Sequence, residues 1–129
     1  MLSICTFLFA PSHSAAQPFG AWSVSNAATA GKYIEVPSTA ALNPIDQVTF
    51  EAWVSNTTSG QTCRSIIGKN FVDAYWVGIC SNTLRSYIKG TTSVKDGGTV
   101  PNSQWTHVAV TYDGTNRKHY VNGELAATF

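Results

Sequence analysis

Residues 47–55 alternate regularly between two sets of side chains. One set is apolar and consists of Val48, Phe50, Ala52 and Val54; the other is mostly polar and consists of Thr49, Glu51, Trp53 and Ser55. Successive side chains of a β-strand point to opposite sides of the sheet, so a period of two residues indicates a strand. The pattern therefore predicts a strand over residues 47–55 with one buried face.

Similar strand signals recur along the chain. Residues 105–112 are rich in β-branched and aromatic side chains, which half-buried strands favour. The pair Asn122-Gly123 predicts a tight hairpin, because a type I′ turn needs a positive φ at both central residues. Residues 113–116 have the composition of another turn, residues 38–44 that of a loop with room for a helical turn, and residues 90–102 that of a long loop. Further strands are predicted within residues 17–30, 31–37, 64–69, 75–80 and 84–89.

These segments amount to about nine short strands, and no segment has the pattern of an amphipathic helix. Many short strands separated by regular turns are typical of a β-sandwich or a barrel. We therefore expect an all-β fold.

Two of the three cysteines lie at the outer ends of a predicted hairpin. If Cys63 and Cys80 face each other, Ile66 falls opposite Val77 and the turn centres on residues 71–72. A cross-strand disulfide is compatible with this register and would contribute about 3 kcal/mol by restricting the unfolded chain. The alternative is two unrelated thiols.

The N-terminus has features of a secretory signal. Residues 2–10 are a short apolar run, and the small residues Ser14 and Ala16 suit cleavage after Ala16. The basic residues that usually precede such a run are missing, and the alternative is an apolar first strand. We predict a signal peptide over residues 1–16 and one domain over residues 17–129. Removal of Cys5 with the signal would leave an even cysteine pair, as in an oxidising compartment.

The composition narrows the functional classes. The chain has 129 residues, which suits one domain, and charged residues make up only 12% of it. The net charge is +1 without a basic cluster, so the sequence has no electrostatic signature of nucleic-acid binding. No apolar run approaches the ~18 residues of a membrane span. Secretion of a Ser-, Thr-, Asn- and Gly-rich β-domain fits these features.

Five segments, in order, resemble the laminin-G-like domains of the concanavalin A-like lectin/glucanase superfamily. The most specific is Trp105-Thr106-His107-Val108-Ala109-Val110-Thr111-Tyr112-Asp113-Gly114 with Tyr120-Val121-Asn122-Gly123, which is similar to the family's W-x-H-V-A-x-T-Y-D-G … Y-V-N-G pattern. The other similar segments are residues 31–37, 50–54 and the three central strands within 63–88. The resemblance implies an antiparallel jelly-roll β-sandwich.

The resemblance also implies a function and an incomplete fold. Its domains are extracellular binding or adhesion modules, so we expect non-catalytic recognition of carbohydrate or of an extracellular protein, with a structural spacer as the alternative. Family members continue beyond the N-G-x-L hairpin, whereas this chain stops at Phe129. We therefore expect the closing C-terminal strands to be missing and the exposed edge at residues 124–129 to promote self-association.

The tryptophans are the first candidates for ligand contact, since an aromatic face suits the C–H-rich face of a sugar. The four are Trp22, Trp53, Trp76 and Trp105. Trp53 and Trp105 match core positions of the family, so we expect them to be buried between the sheets. Trp76 remains the best ligand-binding candidate, with the loop residues Asn70 and Asp73 beside it. Oxygen ligands for calcium could also come from loop residues, but the sequence shows no cluster, and the metal stays unknown. The candidates are Asn70, Asp73, Asp96 and Asp113.

Catalysis has little support in the sequence. Related glucanases carry closely spaced carboxylates on one strand, whereas Glu35, Glu51 and Glu124 lie far apart here. A glucanase-like glycoside hydrolase is therefore the least favoured function. We expect His107 to be a buried structural histidine and His119 to lie on a solvated edge strand.

The sequence also contains a glycosylation motif. Residues Asn56-Thr57-Thr58 form an N-glycosylation sequon in a predicted loop. Such triplets also arise often by chance, so the motif alone does not predict a glycan.

Overall fold

The computed structural model describes residues 33–44, 46–57, 63–71, 73–91 and 93–129. These residues form two four-stranded antiparallel sheets: the first sheet has the order β1-β6-β7-β8 and the second sheet the order β2-β3-β4-β5. The strands are β1 (Val48–Ser55), β2 (Cys63–Lys69), β3 (Tyr75–Cys80), β4 (Thr83–Ile88), β5 (Lys95–Thr99), β6 (Trp105–Tyr112), β7 (Arg117–Val121) and β8 (Glu124–Thr128). The predicted all-β sandwich is confirmed.

The core lies between the two sheets. Its buried apolar side chains are Phe50, Tyr75, Val77, Ile79, Leu84, Val100, Val108 and Val110. The rings of Phe50 on β1 and Tyr75 on β3 meet across the sandwich with their centroids 4.7 Å apart. Alternation in β1 buries Phe50 and leaves Glu51 exposed, as predicted. Burial of each large apolar side chain contributes roughly 1.5–3 kcal/mol, so these residues hold the two sheets together.

The β2–β3 hairpin carries the disulfide. Cys63 and Cys80 are direct partners, their Cα atoms lie 4.0 Å apart, and the two sulfur atoms are bonded. The predicted bridge is confirmed. The predicted register holds from Cys63 to Ser65 and then shifts, so that Ile67 rather than Ile66 lies opposite Val77. A β-bulge causes the shift, because it adds one residue to one strand without a partner on the other.

Strand β5 was not expected, since residues 90–102 have loop composition. Its glycines allow it to approach the first sheet closely. A Cβ atom at Gly97 would lie 2.5 Å from the Cβ of Ala127, and one at Gly98 would lie 2.7 Å from Cγ2 of Val121. At this edge, the backbone of β5 therefore packs directly against side chains of β7 and β8. Glycine weakens the local strand signal but makes this close packing possible.

Both predicted C-terminal turns are confirmed. Asn122 and Gly123 have φ values of 51° and 82°, as a type I′ turn requires. In the preceding turn, Asp113 Oδ1 accepts hydrogen bonds from the backbone amides of Thr115 and Asn116 at 2.9 and 2.7 Å. The local turn chemistry thus sets both hairpins.

The N-terminal part agrees less well with prediction. Residues 33–37 are not a strand, so that prediction is wrong for the part of the segment that the structure describes. The 3-10 helix at Ala40–Leu42 confirms the helical turn expected within residues 38–44. The predicted signal peptide, Cys5, Trp22 and the strand within residues 17–30 lie outside the described residues. Among those described, no helix is long and apolar enough to cross a membrane.

Candidate functional site

Trp76 lies on the outer face of the second sheet. Its neighbours Tyr75 and Val77 on β3 point into the core, so alternation directs Trp76 outward. The indole crosses two glycines: a Cβ atom at Gly78 would lie 2.4 Å from Cζ2 of Trp76, and one at Gly68 would lie 2.9 Å from its Cδ1. The two glycines therefore leave room for the ring to lie low over the strands.

A hydrogen bond fixes the indole in this position. Nε1 of Trp76 donates to Oγ of Ser65 at 2.7 Å. Ser65 pairs with Gly78, and Gly68 pairs with Trp76, so all four residues belong to one patch of the β2–β3 hairpin. The polar atom of the indole is satisfied by the protein itself, which leaves the ring surface for other contacts.

Two more aromatic rings border Trp76. Tyr87 on β4 is its direct cross-strand partner. Phe71, in the β2–β3 turn, is 48% exposed, and its ring centroid lies 5.8 Å from that of Trp76 and 5.2 Å from that of Tyr87. We call Phe71, Trp76 and Tyr87 the aromatic patch. Phe71 is exposed, whereas Trp76 and Tyr87 are half-buried and held by their neighbours, so the patch offers partly accessible aromatic surface to a ligand.

An ion pair lies beside the aromatic patch. Arg85 on β4 donates from Nε to Oδ1 of Asp96 at 2.5 Å and from Nη2 to Oδ2 at 2.6 Å. This bidentate pair raises the pKa of Arg85 and holds the pKa of Asp96 below its usual value, mainly through the side-chain hydrogen bonds. Arg85 is also the cross-strand partner of Gly78, which places the pair next to the glycine beneath the indole.

The other predicted ligand-binding residues, Asn70 and Asp73, lie in the β2–β3 turn. The backbone amide of Asp73 donates to the carbonyl of Asn70 at 2.6 Å, and Asn70 has a φ of 46°. The same turn carries Phe71, which connects it to Trp76. Asp73, however, lines a cavity of about 280 Å³ at the end of the sandwich, and Trp76 does not line it. The structure thus brings Asn70 and Trp76 to one region and places Asp73 at its margin.

Comparison with known families agrees with this architecture. A laminin-G family model, described as the concanavalin A-like lectin/glucanases superfamily, matches residues 28–129. The chain belongs to this laminin-G-like family. The search of curated proteins and the search of solved structures gave no significant match. Laminin-G-like domains are generally non-catalytic, and this membership together with the Cys63–Cys80 disulfide indicates an extracellular module.

The laminin-G-like domain does not bury Trp53 and Trp105 between its sheets, so that prediction is wrong. Trp53 is 37% exposed on the outer face of the first sheet. Trp105 is half-buried on the same face, since Thr106 and Val108 alternate with it and point inward. The period of two in β1 already placed Trp53 opposite the apolar face. A match to family core positions was therefore the weaker guide.

Both histidine predictions also need correction. His107 is half-buried on the outer face of the first sheet, with its ring centroid 5.4 Å from that of Trp53 and its Nε2 3.8 Å from Oε2 of Glu51. His119 is fully buried rather than solvated. The reason is that β7 lies between β6 and β8, so that an inward-pointing residue on it faces the second sheet.

His119 takes part in a buried polar network between the sheets. Its Nδ1 lies 3.0 Å from the carbonyl oxygen of Gly97, which makes Nδ1 the donor, and its Nε2 accepts from Oγ of Ser86 at 2.7 Å. Arg117 donates from Nη1 to the Ser86 carbonyl at 3.0 Å and from Nη2 to the Ser93 carbonyl at 3.1 Å. Burial lowers the pKa of both His119 and Arg117.

This Ser–His pair is unsuited to nucleophilic catalysis. Ser86 and His119 have no solvent-accessible surface, so a substrate could not reach the hydroxyl. The imidazole is also oriented by a backbone carbonyl rather than by a carboxylate, as it would be in a catalytic triad. The network instead ties β4 and β5 of the second sheet to β7 of the first. No local pattern indicates this network, because its members are far apart along the chain.

The sequon asparagine is part of a second polar cluster. Asn56 is buried, and its Nδ2 donates to Oδ1 of Asn102 at 2.9 Å and to Oδ1 of Asn82 at 3.3 Å. Arg64 donates to Oδ1 of Asn56 at 3.4 Å. A glycan would require this amide nitrogen, so glycosylation is incompatible with the observed contacts. The cluster joins the end of β1 to the β3–β4 turn and to the start of β6.

The candidate calcium ligands do not converge. Among the described residues, no group of three or more His, Cys, Asp or Glu side chains could hold a metal ion. Asp96 is bound by Arg85, and the backbone amides of Asn116 and Thr115 keep the pKa of Asp113 low by bonding its carboxylate within the turn. Asp96 and Asp113 are therefore engaged in contacts within the protein.

Proposed function

We propose that this laminin-G-like domain is a secreted, non-catalytic recognition module that binds carbohydrate on the outer face of the second sheet. The observation that carries the proposal is the position of Trp76, whose indole lies over Gly68 and Gly78. Ser65 satisfies its only polar atom. A sugar ring could stack on the indole without breaking a contact that the protein needs.

Preorganisation supports this assignment. The indole is already held by a hydrogen bond to Ser65 and rests on the backbone at Gly68 and Gly78. Stacking would therefore not require ordering of the side chain. Phe71 and Tyr87 would extend the apolar contact, and Asn70 and Asp73 in the adjoining turn would supply polar contacts at its margin. Apolar side chains with a few polar groups beside them are the composition that ligand-binding sites share.

The distribution of acidic residues on the second sheet supports a non-catalytic role. The four strands of the second sheet contain a single acidic residue, Asp96, and Arg85 binds both of its oxygens. A glycoside hydrolase needs two carboxylates about 5–9.5 Å apart, one of them free to protonate the leaving group. Strands β2 to β5 do not supply such a pair, so binding is the function that this face supports.

The test measures glycan binding by the purified, disulfide-bonded domain and by two variants. Trp76→Ala removes the proposed stacking surface, and Tyr33→Ala serves as its control. Oligosaccharide arrays followed by calorimetry should show binding that Trp76→Ala weakens about tenfold or more, which corresponds to about 1.4 kcal/mol. Tyr33→Ala is the control, since Tyr33 is 71% exposed and lies outside the two sheets. Circular dichroism should show that both variants remain folded.

Three results would contradict the proposal. Equal glycan binding by Trp76→Ala and the wild-type domain would remove Trp76 from the site. Failure to bind any oligosaccharide would favour a structural spacer. Binding to extracellular matrix proteins without glycan dependence would instead favour the protein-recognition alternative.

A further inference from the structure

We infer that this site selects neutral sugars over anionic ones, and that the Arg85–Asp96 pair determines this specificity. The inference rests on the proposed carbohydrate function of the aromatic patch. It concerns a different property, namely the charge of the ligand, and its test is separable from that of the patch itself.

The ion pair lies within reach of a sugar stacked on Trp76. The benzene half of the indole lies over Gly78, and Gly78 is the direct partner of Arg85. Directly opposed residues in an antiparallel sheet have Cβ atoms about 4.5–5.5 Å apart. A ring stacked over this end of the indole would therefore present its edge to Arg85 and Asp96. Their side chains are 32% and 44% exposed, so both remain open to a ligand.

The pair is electrically balanced. Asp96 accepts from both Nε and Nη2 of Arg85, which is the two-bond geometry that holds a carboxylate and a guanidinium most firmly. Nη1 of Arg85 also donates to Sγ of Cys63 at 3.7 Å. One N–H on each Nη atom of Arg85 is left to donate, and the remaining lone pairs of Asp96 can accept. A sugar hydroxyl both donates and accepts, so neutral sugar hydroxyls match this pair.

An anionic sugar would meet a less favourable surface. Its carboxylate or sulfate would approach the Asp96 carboxylate and would have to compete with it for Arg85. The other basic residues of the second sheet are engaged elsewhere. Lys69 donates to Ser38 and Asn43, Arg64 donates to Asn56, and Lys95 lies over the ring of Phe129 at 5.8 Å. The basic side chains within strands β2 to β5 are therefore engaged, whereas Lys89, directly after β4, is exposed.

The deciding experiment removes the negative partner without changing its shape. The probes are neutral gluco-, galacto- and manno-oligosaccharides on one side and hyaluronan and heparin fragments on the other. The wild-type domain should prefer the neutral probes. Asp96→Asn should raise the affinity for the anionic probes relative to the neutral ones by about tenfold, because Arg85 becomes an unbalanced cation, and the gain should fall with added salt.

Two controls separate local from general effects of charge. The double variant Arg85→Gln/Asp96→Asn has no charge at this position and should lose the gain in anion binding. Glu124→Gln removes one negative charge from β8 of the first sheet, where Glu124 is exposed, and should leave the ratio unchanged. An equal gain in Glu124→Gln would mean that net charge alone is responsible.

The outcomes distinguish this inference from the proposed function. If glycans bind and Trp76→Ala abolishes binding, but Asp96→Asn leaves the ratio of anionic to neutral affinity unchanged, the proposed function stands and the inference is wrong. A wild-type preference for the anionic probes would also overturn the inference alone. If the wild-type domain binds neither class of probe, both fail.

Discussion

The two faces of the second sheet use arginine in opposite ways. On the inner face, Arg117 enters from β7, is 2% exposed, and donates to the neutral oxygen atoms of Ser86 and Ser93. On the outer face, Arg85 is partly exposed and is paired with the carboxylate of Asp96. The first arginine is held by backbone carbonyls of a rigid interior, and the second by a side chain at the surface.

The difference separates stability from recognition. A buried charge is unfavourable unless its hydrogen bonds are made, so the inner network tolerates little change. An exposed pair is stabilised only slightly relative to its separated ions in water, so the outer face can change without unfolding the domain. Alternation turns sequence neighbours to opposite faces. Arg85 and Asp96 therefore belong to the recognition face, whereas the adjacent Ser86 and Gly97 belong to the inner network that stabilises the domain.

The largest expected effect is on the inner face. Arg117→Ala should lower the free energy of unfolding by about 3 kcal/mol or more, because it leaves a cavity and the unpaired carbonyls of Ser86 and Ser93. Arg85→Ala, the matched control on the outer face, should lower it by no more than about 1 kcal/mol. Urea unfolding of the two variants measures the difference, and similar losses would refute the contrast between the faces.

An intermediate effect on stability is expected at the two glycines beneath the Trp76 indole. A Cβ atom at Gly78 would lie 2.3 Å from the carbonyl oxygen of Arg64 and 2.4 Å from Cζ2 of Trp76. Gly78→Ala should therefore displace the indole and lower stability by about 1–3 kcal/mol. Gly68→Ala should do less, since its nearest contact would be 2.9 Å. Denaturant unfolding and tryptophan fluorescence measure both effects; unchanged fluorescence in Gly78→Ala would show that the ring does not depend on this glycine.

The smallest expected effect is the pH dependence of the stability, which should differ between the two faces. Burial lowers the pKa of His119, so the unfolded chain binds its proton first as the pH falls below about 6.5. Stability should then decline by at most about 1.4 kcal/mol per pH unit until the folded pKa is reached. The hydrogen bonds from Arg85 lower the pKa of Asp96, so its smaller contribution should be lost only below about pH 4.

The variant His119→Gln tests this separation. It should be less stable at neutral pH, because Ser86 and Gly97 lose a partner, but it should lack the decline that begins below about pH 6.5. Asp96→Asn should retain that decline. If His119→Gln declines as the wild-type domain does, the inner histidine does not control the acid response.

Local patterns explain most of what was predicted correctly. Alternation determined β1 and β6, turn chemistry determined the hairpin at Asn122-Gly123, and the spacing of Cys63 and Cys80 determined the disulfide register up to the bulge. The resemblance in five ordered segments identified the family. Each of these signals arises within one strand or between strands that are neighbours along the chain. The candidate site was predictable only in part, because Trp76 was identified but Arg85 was not.

What the sequence could not determine depends on tertiary contacts, most of them between the sheets. Gly97 and Gly98 have loop composition, yet they form part of β5, which pairs with β4. Only glycine fits there, because the side chains of Ala127 and Val121 leave no room for a Cβ atom. His119 is buried because β7 is flanked by β6 and β8 and faces the second sheet. The low position of the Trp76 indole depends on Gly68 and Ser65 from another strand. Sequence alone determined most of the strands, the two C-terminal turns and the disulfide. Tertiary packing added β5 and decided which faces are buried and which are open, because burial is set by long-range neighbours.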